Sequence, residues 1–303
     1  MLLLAGCTAQ TEQSPSGGFL TELLASLPVI DGPRDIVAAD LAVAIELAGA
    51  PMPEAAGPEL ADWIALISGI RAEHTVSVPW PGSLNVMTTT TVDGQFADAV
   101  GFDVRDIDVF LEVASPPSRM LLAEGGFDEA AITGALGEPA DGLWVQPGQE
   151  LAPDLGNRGN PDHLGRPIRL AGDADRLLMS FELEQAEAFR DGAVGNWGAP
   201  LTVARALDAA GVYAAWIVAD VERDEVVGLG LTRDGGTVVA RQYQDPDAAA
   251  ATAEQLPGTE DHGFTVLEAQ ASDGLLTLRL ERFAGMPPWG TWDLIAMRSP
   301  VLG

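Results

Sequence analysis

Leu20, Leu23, Leu24 and Leu27 recur at i, i+3, i+4 and i+7, and Pro28 ends the run, so the spacing predicts a short amphipathic helix that docks by its leucine face. Apolar residues from Val37 to Ala48, with Asp35 as the candidate cap and Gly49 just beyond, predict a second helix. A third is expected from Pro58 to Ser68, where Trp63, Ile64 and Ile67 share one face. Turn-forming clusters, Pro51-Met52-Pro53 and Pro79-Trp80-Pro81-Gly82, follow the second and third of these.

Strand patterns come next, and they recur. Ile107 to Ala114 and Met120 to Ala123 flank Ser115-Pro116-Pro117-Ser118, after which Phe127-Asp128-Glu129 opens a helix through Leu136. Val226 to Leu231 and Thr237 to Ala240 flank Asp234-Gly235-Gly236, after which Asp245-Pro246-Asp247 opens a helix through Leu256. Each helix is followed by another hairpin: Ile168 to Leu170 with Leu177 to Phe181, and Thr265 to Ala269 with Leu275 to Leu280. The pattern reads as a duplication, with Gly192 to Pro200 at the junction and Leu201 to Ala210 as the leading helix of the second part. The expected class is α+β: two similar halves, residues 19–195 and 196–303, built from mostly antiparallel β-hairpins with helices packed on one face. Two fused sheets with an apolar interface are expected, a single long sheet being the other arrangement.

Composition narrows the function classes. The chain has 303 residues, 47% of them hydrophobic, enough for a sizeable core. Its 45 acidic residues face 16 basic ones, giving a formal charge of −29, and every basic residue is arginine. A surface of that sign repels phosphate backbones, so nucleic acid is excluded as a partner. Without lysine, the phosphate loop ending in Gly-Lys-Ser/Thr, a Schiff base to pyridoxal phosphate and a Ser-x-x-Lys nucleophile are ruled out. No Gly-x-Ser-x-Gly elbow or His-Glu-x-x-His helix occurs, and Gly228-Leu229-Gly230 lies inside a strand pattern without a third glycine.

The one cysteine, Cys7, closes the run Leu4-Ala5-Gly6-Cys7 directly before a polar, turn-rich stretch, Thr8 to Gly18. This run resembles the lipobox of bacterial lipoproteins, and the Ala-, Gly- and Arg-rich composition is similar to that of exported actinobacterial lipoproteins. The resemblance implies cleavage before Cys7, lipid attachment at the Cys7 sulfur, and a globular part held at the extracytoplasmic face of the cell membrane. Residues 1–6 are then expected to be the remnant of a truncated signal peptide, because a full one carries a basic start and an apolar core of about 7–15 residues. Residues 7–18 would form a flexible tether. Elsewhere no apolar stretch approaches the roughly 18 residues of a membrane span, and the nearest, Tyr213 to Ala219, reads as a strand.

Candidate chemistry is sparse. His74, His163 and His262 each sit alone in a polar segment and read as loop residues. Asp154, Asn157, Asn160 and Asp162 offer oxygens in a glycine-containing loop, but the spacing is not that of an EF-hand and Arg158 brings the wrong charge. Asp103, Asp106 and Asp108, or Asp220 and Glu222, are carboxylate groups of the kind a glycosidase uses, and in so acidic a chain such pairs arise by chance. Trp80, Trp144, Trp289 and Trp292 lie in Pro/Gly-rich surroundings where indoles line a groove or anchor a partner, whereas Trp63 and Trp216 read as core. Met286-Pro287-Pro288-Trp289-Gly290-Thr291-Trp292 also reads as a clasp over a sheet edge. No catalytic, cofactor-binding or metal-binding residue is assigned, and Cys7 is the one site residue named, for lipid attachment. The expectation is a membrane-anchored extracytoplasmic lipoprotein, non-enzymatic, that binds an envelope protein or a small apolar ligand between its halves. The alternative is a carboxylate-dependent envelope hydrolase.

Overall fold

A computed structural model describes residues 18–32, 34–84, 93–154, 164–220 and 225–296. The first helix, α1 (Phe19–Ala25), forms as its leucine spacing requires: Leu20, Leu23, Leu24 and Leu27 are all fully buried, each contributing about 1.5–3 kcal/mol of apolar burial. The next segment differs from expectation. Arg34–Asp40 is a strand, β1, and only Leu41–Ala48 is helical, as α2, with Asp40 rather than Asp35 accepting from the Val43 N–H. Ile36-Val37-Ala38-Ala39 is apolar at every position because β1 packs on both faces, and such a run carries no period that separates strand from helix. Gly49 closes α2 in the left-handed conformation (φ 61°).

Then come α3 (Pro58–Ile67) and α4 (Gln95–Val100), before β2 (Ile107–Ser115), β3 (Ser118–Gly125), α5 (Glu129–Leu136), β4 (Leu143–Val145), β5 (Arg169–Gly172), β6 (Arg176–Ser180) and α6 (Leu183–Arg190). The chain continues with α7 (Ala199–Ala209), β7 (Val212–Asp220), β8 (Glu225–Thr232), β9 (Thr237–Gln242), α8 (Pro246–Gln255), β10 (Glu260–Asp261), β11 (Phe264–Ser272), β12 (Leu275–Arg282) and α9 (Gly290–Ala296). The capping aspartates act as the sequence implies: Asp128 accepts from Ala130 and Ala131, and Asp245 from Asp247.

All strands join one antiparallel sheet in the order β10-β11-β12-β9-β8-β7-β1-β2-β3-β6-β5-β4. This single sheet replaces the expected pair of fused sheets. The joining element is β1, the strand its uniform apolarity conceals, which pairs with β7 from Arg34↔Ala219 to Ala39↔Ala214 and with β2 on its other side. Outward from the β1–β7 pair, one side runs β2, β3, β6, β5, β4 and the other β8, β9, β12, β11, β10. A helix precedes the central strand on each side, and another separates the third strand from the fourth.

Helices cover both faces of the sheet rather than one, because the central strands are apolar on both. Ile36 and Ala38 enter one core with α1 and α7, whereas Ala39 and, beside it, Val37 pack in the opposite core with α2, α3, α5 and α9. On the first face α7 approaches so closely that a Cβ on Gly228 would stand 2.4 Å from the Val203 side chain. The Gly-Leu-Gly of β8 therefore serves packing. The same face ties the start of the described chain to the helix before β7: the Asp208 carboxylate of α7 accepts from the N–H of Leu20 (3.3 Å) and Thr21 (2.7 Å), capping α1 from 187 residues away.

Burial pushes the Asp208 carboxyl above its ordinary range, with the α1 N–H groups offsetting part of the shift, and burial does the same at Asp40 and Asp106. A carboxyl whose folded pKa is raised contributes stability that is complete below the ordinary Asp value of about 4 and is lost as pH climbs through the raised value. Self-repulsion of the −29 charge acts in the same direction. The melting temperature should therefore rise between neutral pH and about pH 5, and Asp208→Asn, which keeps an acceptor without a titrating charge, should flatten that rise. Thermal melts of both proteins across this range check it; identical slopes would remove Asp208 from the account. Asp208→Ala, which uncaps α1, should cost about 1 kcal/mol near pH 5 and less at neutral pH.

Candidate functional site

The face opposite α1 carries a cavity of about 260 Å³ over the centre of the sheet. Strand register sets its floor. One row across neighbouring strands is Glu112, Val37 and Trp216, from β2, β1 and β7; the next row is Arg119, Ala114 and Asp35, from β3, β2 and β1. Because alternate residues of a strand share a face, these rows point into the same space. The walls are Pro79 and Trp80 from the segment after α3, and Trp289 and Trp292 from the C-terminal segment. The cavity thus lies where the two sides of the sheet meet.

The indoles are held from behind by the segment between α3 and Trp80. Trp80 Nε1–H donates to Ser68 Oγ (2.8 Å), whose hydroxyl donates to the Ile64 carbonyl (2.6 Å). Ser77 Oγ donates to the Ser68 carbonyl (2.8 Å) and accepts from Trp292 Nε1–H (2.8 Å). The Ser77 N–H donates to the Tyr213 hydroxyl (3.0 Å), whose pKa burial pushes up to about 12. The Trp289 N–H donates to the Gly69 carbonyl (3.0 Å). Gly69 is at φ +69°, and a Cβ there would meet the Val76 carbonyl at 2.3 Å, so this turn requires glycine. Trp80 also stacks on Phe110 at 6.1 Å between ring centres.

Glu112, only 3% exposed, is the charge at the heart of the floor. Its two oxygens accept from the N–H groups of Gly82 (2.9 Å) and Ser83 (2.8 Å), and Arg119 Nε lies 3.7 Å away. The carboxylate therefore fixes the turn that carries Trp80 over the sheet. The two remaining charged groups are less engaged. Among the described residues Arg119 donates no hydrogen bond, and Asp35 makes neither a hydrogen bond nor an ion pair. Trp216 Nε1 is buried without a partner, as is Thr291 Oγ1 in α9.

Of the tryptophans singled out by their loop settings, Trp80, Trp289 and Trp292 converge here and Trp144 does not; it sits on β4 with its Nε1–H on Thr133 Oγ1 (3.1 Å). Trp216, expected in the core, lines the cavity, and Trp63 lies in the core behind Trp80 at 6.2 Å. The Met286–Trp292 segment carries Trp289 and Trp292 to the central strands, and at its start Met286 lies against Gly263 in the β10–β11 turn, where a Cβ would stand 2.7 Å from the Met286 sulfur. Asp103 and Asp106 form a reciprocal capping box, with Asp103 bound to Arg105, and Asp108 is exposed on β2. His74 is half-buried with Nδ1 unpartnered, and His262 meets Asp261. The N–H of Asp154 donates to the Leu164 carbonyl, and Asp220 ends β7. Cys7 with residues 1–17, and also Asn157, Asn160, Asp162, His163 and Glu222, lie outside the described residues. Among the described residues no group of three or more His, Cys, Asp or Glu is placed to hold a metal ion.

Asp35, Glu112 and Arg119 carry the polar side of the cavity without having been singled out for it. Asp35 stood in the sequence as a helix cap. Glu112 left a signal, since it is an ionised residue inside the otherwise apolar run Val109 to Ala114, where an unpaired charge would be prohibitive. Two larger depressions, about 450 and 370 Å³, lie around the β8–β9 hairpin and β11–β12, where the exposed Asp234 and Arg279 pair with each other. Their polar groups are open to solvent, and neither gathers the indoles.

No protein-family model matches the chain, and no curated protein matches it. Among solved structures the chain is similar to TP0453 in its crystal form I, at 6% identity with a TM-score of 0.41, over 91% of this chain and 97% of that one.

Glu112→Ala should cost about 2–3 kcal/mol, because two backbone N–H groups lose their acceptor in a buried setting and the Arg119 guanidinium loses its counter-charge. Glu112→Gln, which keeps one acceptor oxygen, should cost less. Urea denaturation of the two variants checks the order; equal midpoints for wild type and Glu112→Ala would show that the 82–84 turn does not hang on this carboxylate.

Proposed function

We propose that this chain is a membrane-anchored extracytoplasmic lipoprotein, tethered through lipidated Cys7, that binds a small ligand in the tryptophan-lined cavity. The observation that carries the binding role is the convergence of Trp80, Trp216, Trp289 and Trp292, far apart in sequence, around one space that they enclose without filling. Indoles packed as core would close that space. A concave, largely aromatic lining with a few convergent polar groups is the usual form of a ligand site.

The anchor is supported by the lipobox resemblance and fits the chain's route. Gly18 leads into α1 on the face of the sheet opposite the cavity, so a tether arriving there leaves the cavity's side clear. No described helix is long and apolar enough to cross a membrane. The hydrolase alternative draws on Asp35 and Glu112, the two carboxylates of the cavity. Both Glu112 oxygens are already engaged by backbone N–H groups, so binding is the reading the geometry favours over turnover.

Two measurements test the proposal. Expressed behind a complete lipoprotein signal peptide in an actinobacterial host, the wild-type protein should partition with membranes and carry the mass of a diacylglyceryl group, and Cys7→Ser should release it; equal partitioning of the two ends the anchoring claim. In saturation-transfer NMR with a library of single-ring compounds, ligands that bind should lose their signal with Ala114→Phe, which fills the floor of the cavity. Signals that survive that substitution would place binding elsewhere.

A further inference from the structure

The polar groups of the cavity select among ligand classes. Among the described residues Asp35 offers an acceptor with no partner, and Arg119 offers donors that make no hydrogen bond, meeting only Glu112 at 3.7 Å. Both line the same 260 Å³ space. A cationic ligand would meet the guanidinium there, and an anionic one would meet two carboxylates. A neutral ligand bearing hydroxyl groups satisfies both ends, because each hydroxyl donates one hydrogen bond and accepts others. The indoles supply flat apolar faces that gain by dispersion against a ring of C–H groups. Size narrows the class further: a cavity of about 150 Å³ holds benzene, and ligand pockets generally begin near 300 Å³, so 260 Å³ suits one six-membered ring. Trp216 Nε1 and Thr291 Oγ1 are buried in the lining and its supporting helix without a hydrogen-bond partner among the described residues, so polar groups in this region remain to be satisfied.

We infer that the cavity binds a single neutral pyranose ring, its C–H surface against the indoles and its hydroxyl groups bridging Asp35 and Arg119. The inference rests on the reading of the cavity as a binding site and adds the ligand's class. Free monosaccharide and the terminal unit of a glycan share this chemistry.

The test titrates the whole chain, by saturation-transfer NMR and calorimetry, with methyl glucoside, methyl mannoside and N-acetylglucosamine, and with choline and toluene as the cationic and apolar alternatives. At least one pyranose should bind saturably. Arg119→Met and Asp35→Asn should each weaken it on the order of tenfold. Asp35 is exposed, so Asp35→Asn should melt as the wild type does and keeps the test valid if Arg119→Met folds poorly. A trisaccharide of the preferred sugar that binds more tightly than the monosaccharide identifies a glycan end, and one that fails to bind identifies the free sugar. Binding of choline or toluene without any pyranose overturns the ligand class and leaves the cavity a binding site. Silence from every probe overturns both. Pyranose binding unchanged by Arg119→Met, Asp35→Asn and Ala114→Phe also overturns the inference.

Discussion

The pairing of β1 with β7 is the constraint from which the architecture follows. These two strands come from segments that begin about 180 residues apart, and their ladder from Arg34↔Ala219 to Ala39↔Ala214 makes one sheet of twelve strands. Without it, β1 and β7 would each be an edge presenting unpaired backbone groups. With it, both are interior. The ladder also has to be apolar on both sides, because helices approach from both faces; alanines at 38, 39, 214, 215 and 219 meet that demand in little volume. Closing contacts this distant in sequence costs loop entropy, and the α1–α7 cap through Asp208 adds a second link between the same two regions.

The two faces use the central strands differently. On the α1 side, Gly228 removes a side chain from β8, so that α7 settles directly on the sheet, Gly230 makes room for Val212 of β7, and Trp197 is buried with its Nε1–H on the Leu27 carbonyl (3.1 Å). On the other side no single helix lies along β1 and β7. The cover there is assembled from the long connection between β1 and β2, which carries α2, α3 and Trp80, and from the chain after β12, which carries Trp289 and Trp292. The corresponding connection between β7 and β8 is only the four residues 221–224 long.

Much of this was legible from period alone. The leucine face of α1, the proline-led start of α3 and α8, the hairpins β2–β3 and β8–β9 and their acid-capped helices all stand where their residues place them, the helices through period and caps and the hairpins, though buried at consecutive positions, through the turn residues that bound their apolar runs. The illegible parts are those in which a residue answers to neighbours on both sides. β1 has no polar face, so its period vanished. Trp216 sits in an apolar run and gave no sign that its strand stops short of full cover. Arg119 and Asp35 look like ordinary surface charges until register brings them to one row with Ala114 between them. Glu112 is the exception, a charge in a buried run whose need for donors could have been stated from sequence, though not that Gly82 and Ser83 would supply them.

The cavity's position then has a structural origin that does not depend on what fills it. Two covering segments, one inserted after β1 and one following β12, reach the central strands from different ends of the chain, and the seam between them falls over Val37 and Ala114, where the floor side chains are small. Such a seam closes only if the segments pack against each other. Here they are instead tied through Ser68, Gly69 and Ser77, which orient Trp80, Trp289 and Trp292 by hydrogen bonds while the rings stand apart around the space. A polar network that fixes aromatic rings at a distance from one another gives up packing energy that a closed core would keep. The opening is therefore a property of how the cover is joined, and the charged groups set into its floor give it chemical direction.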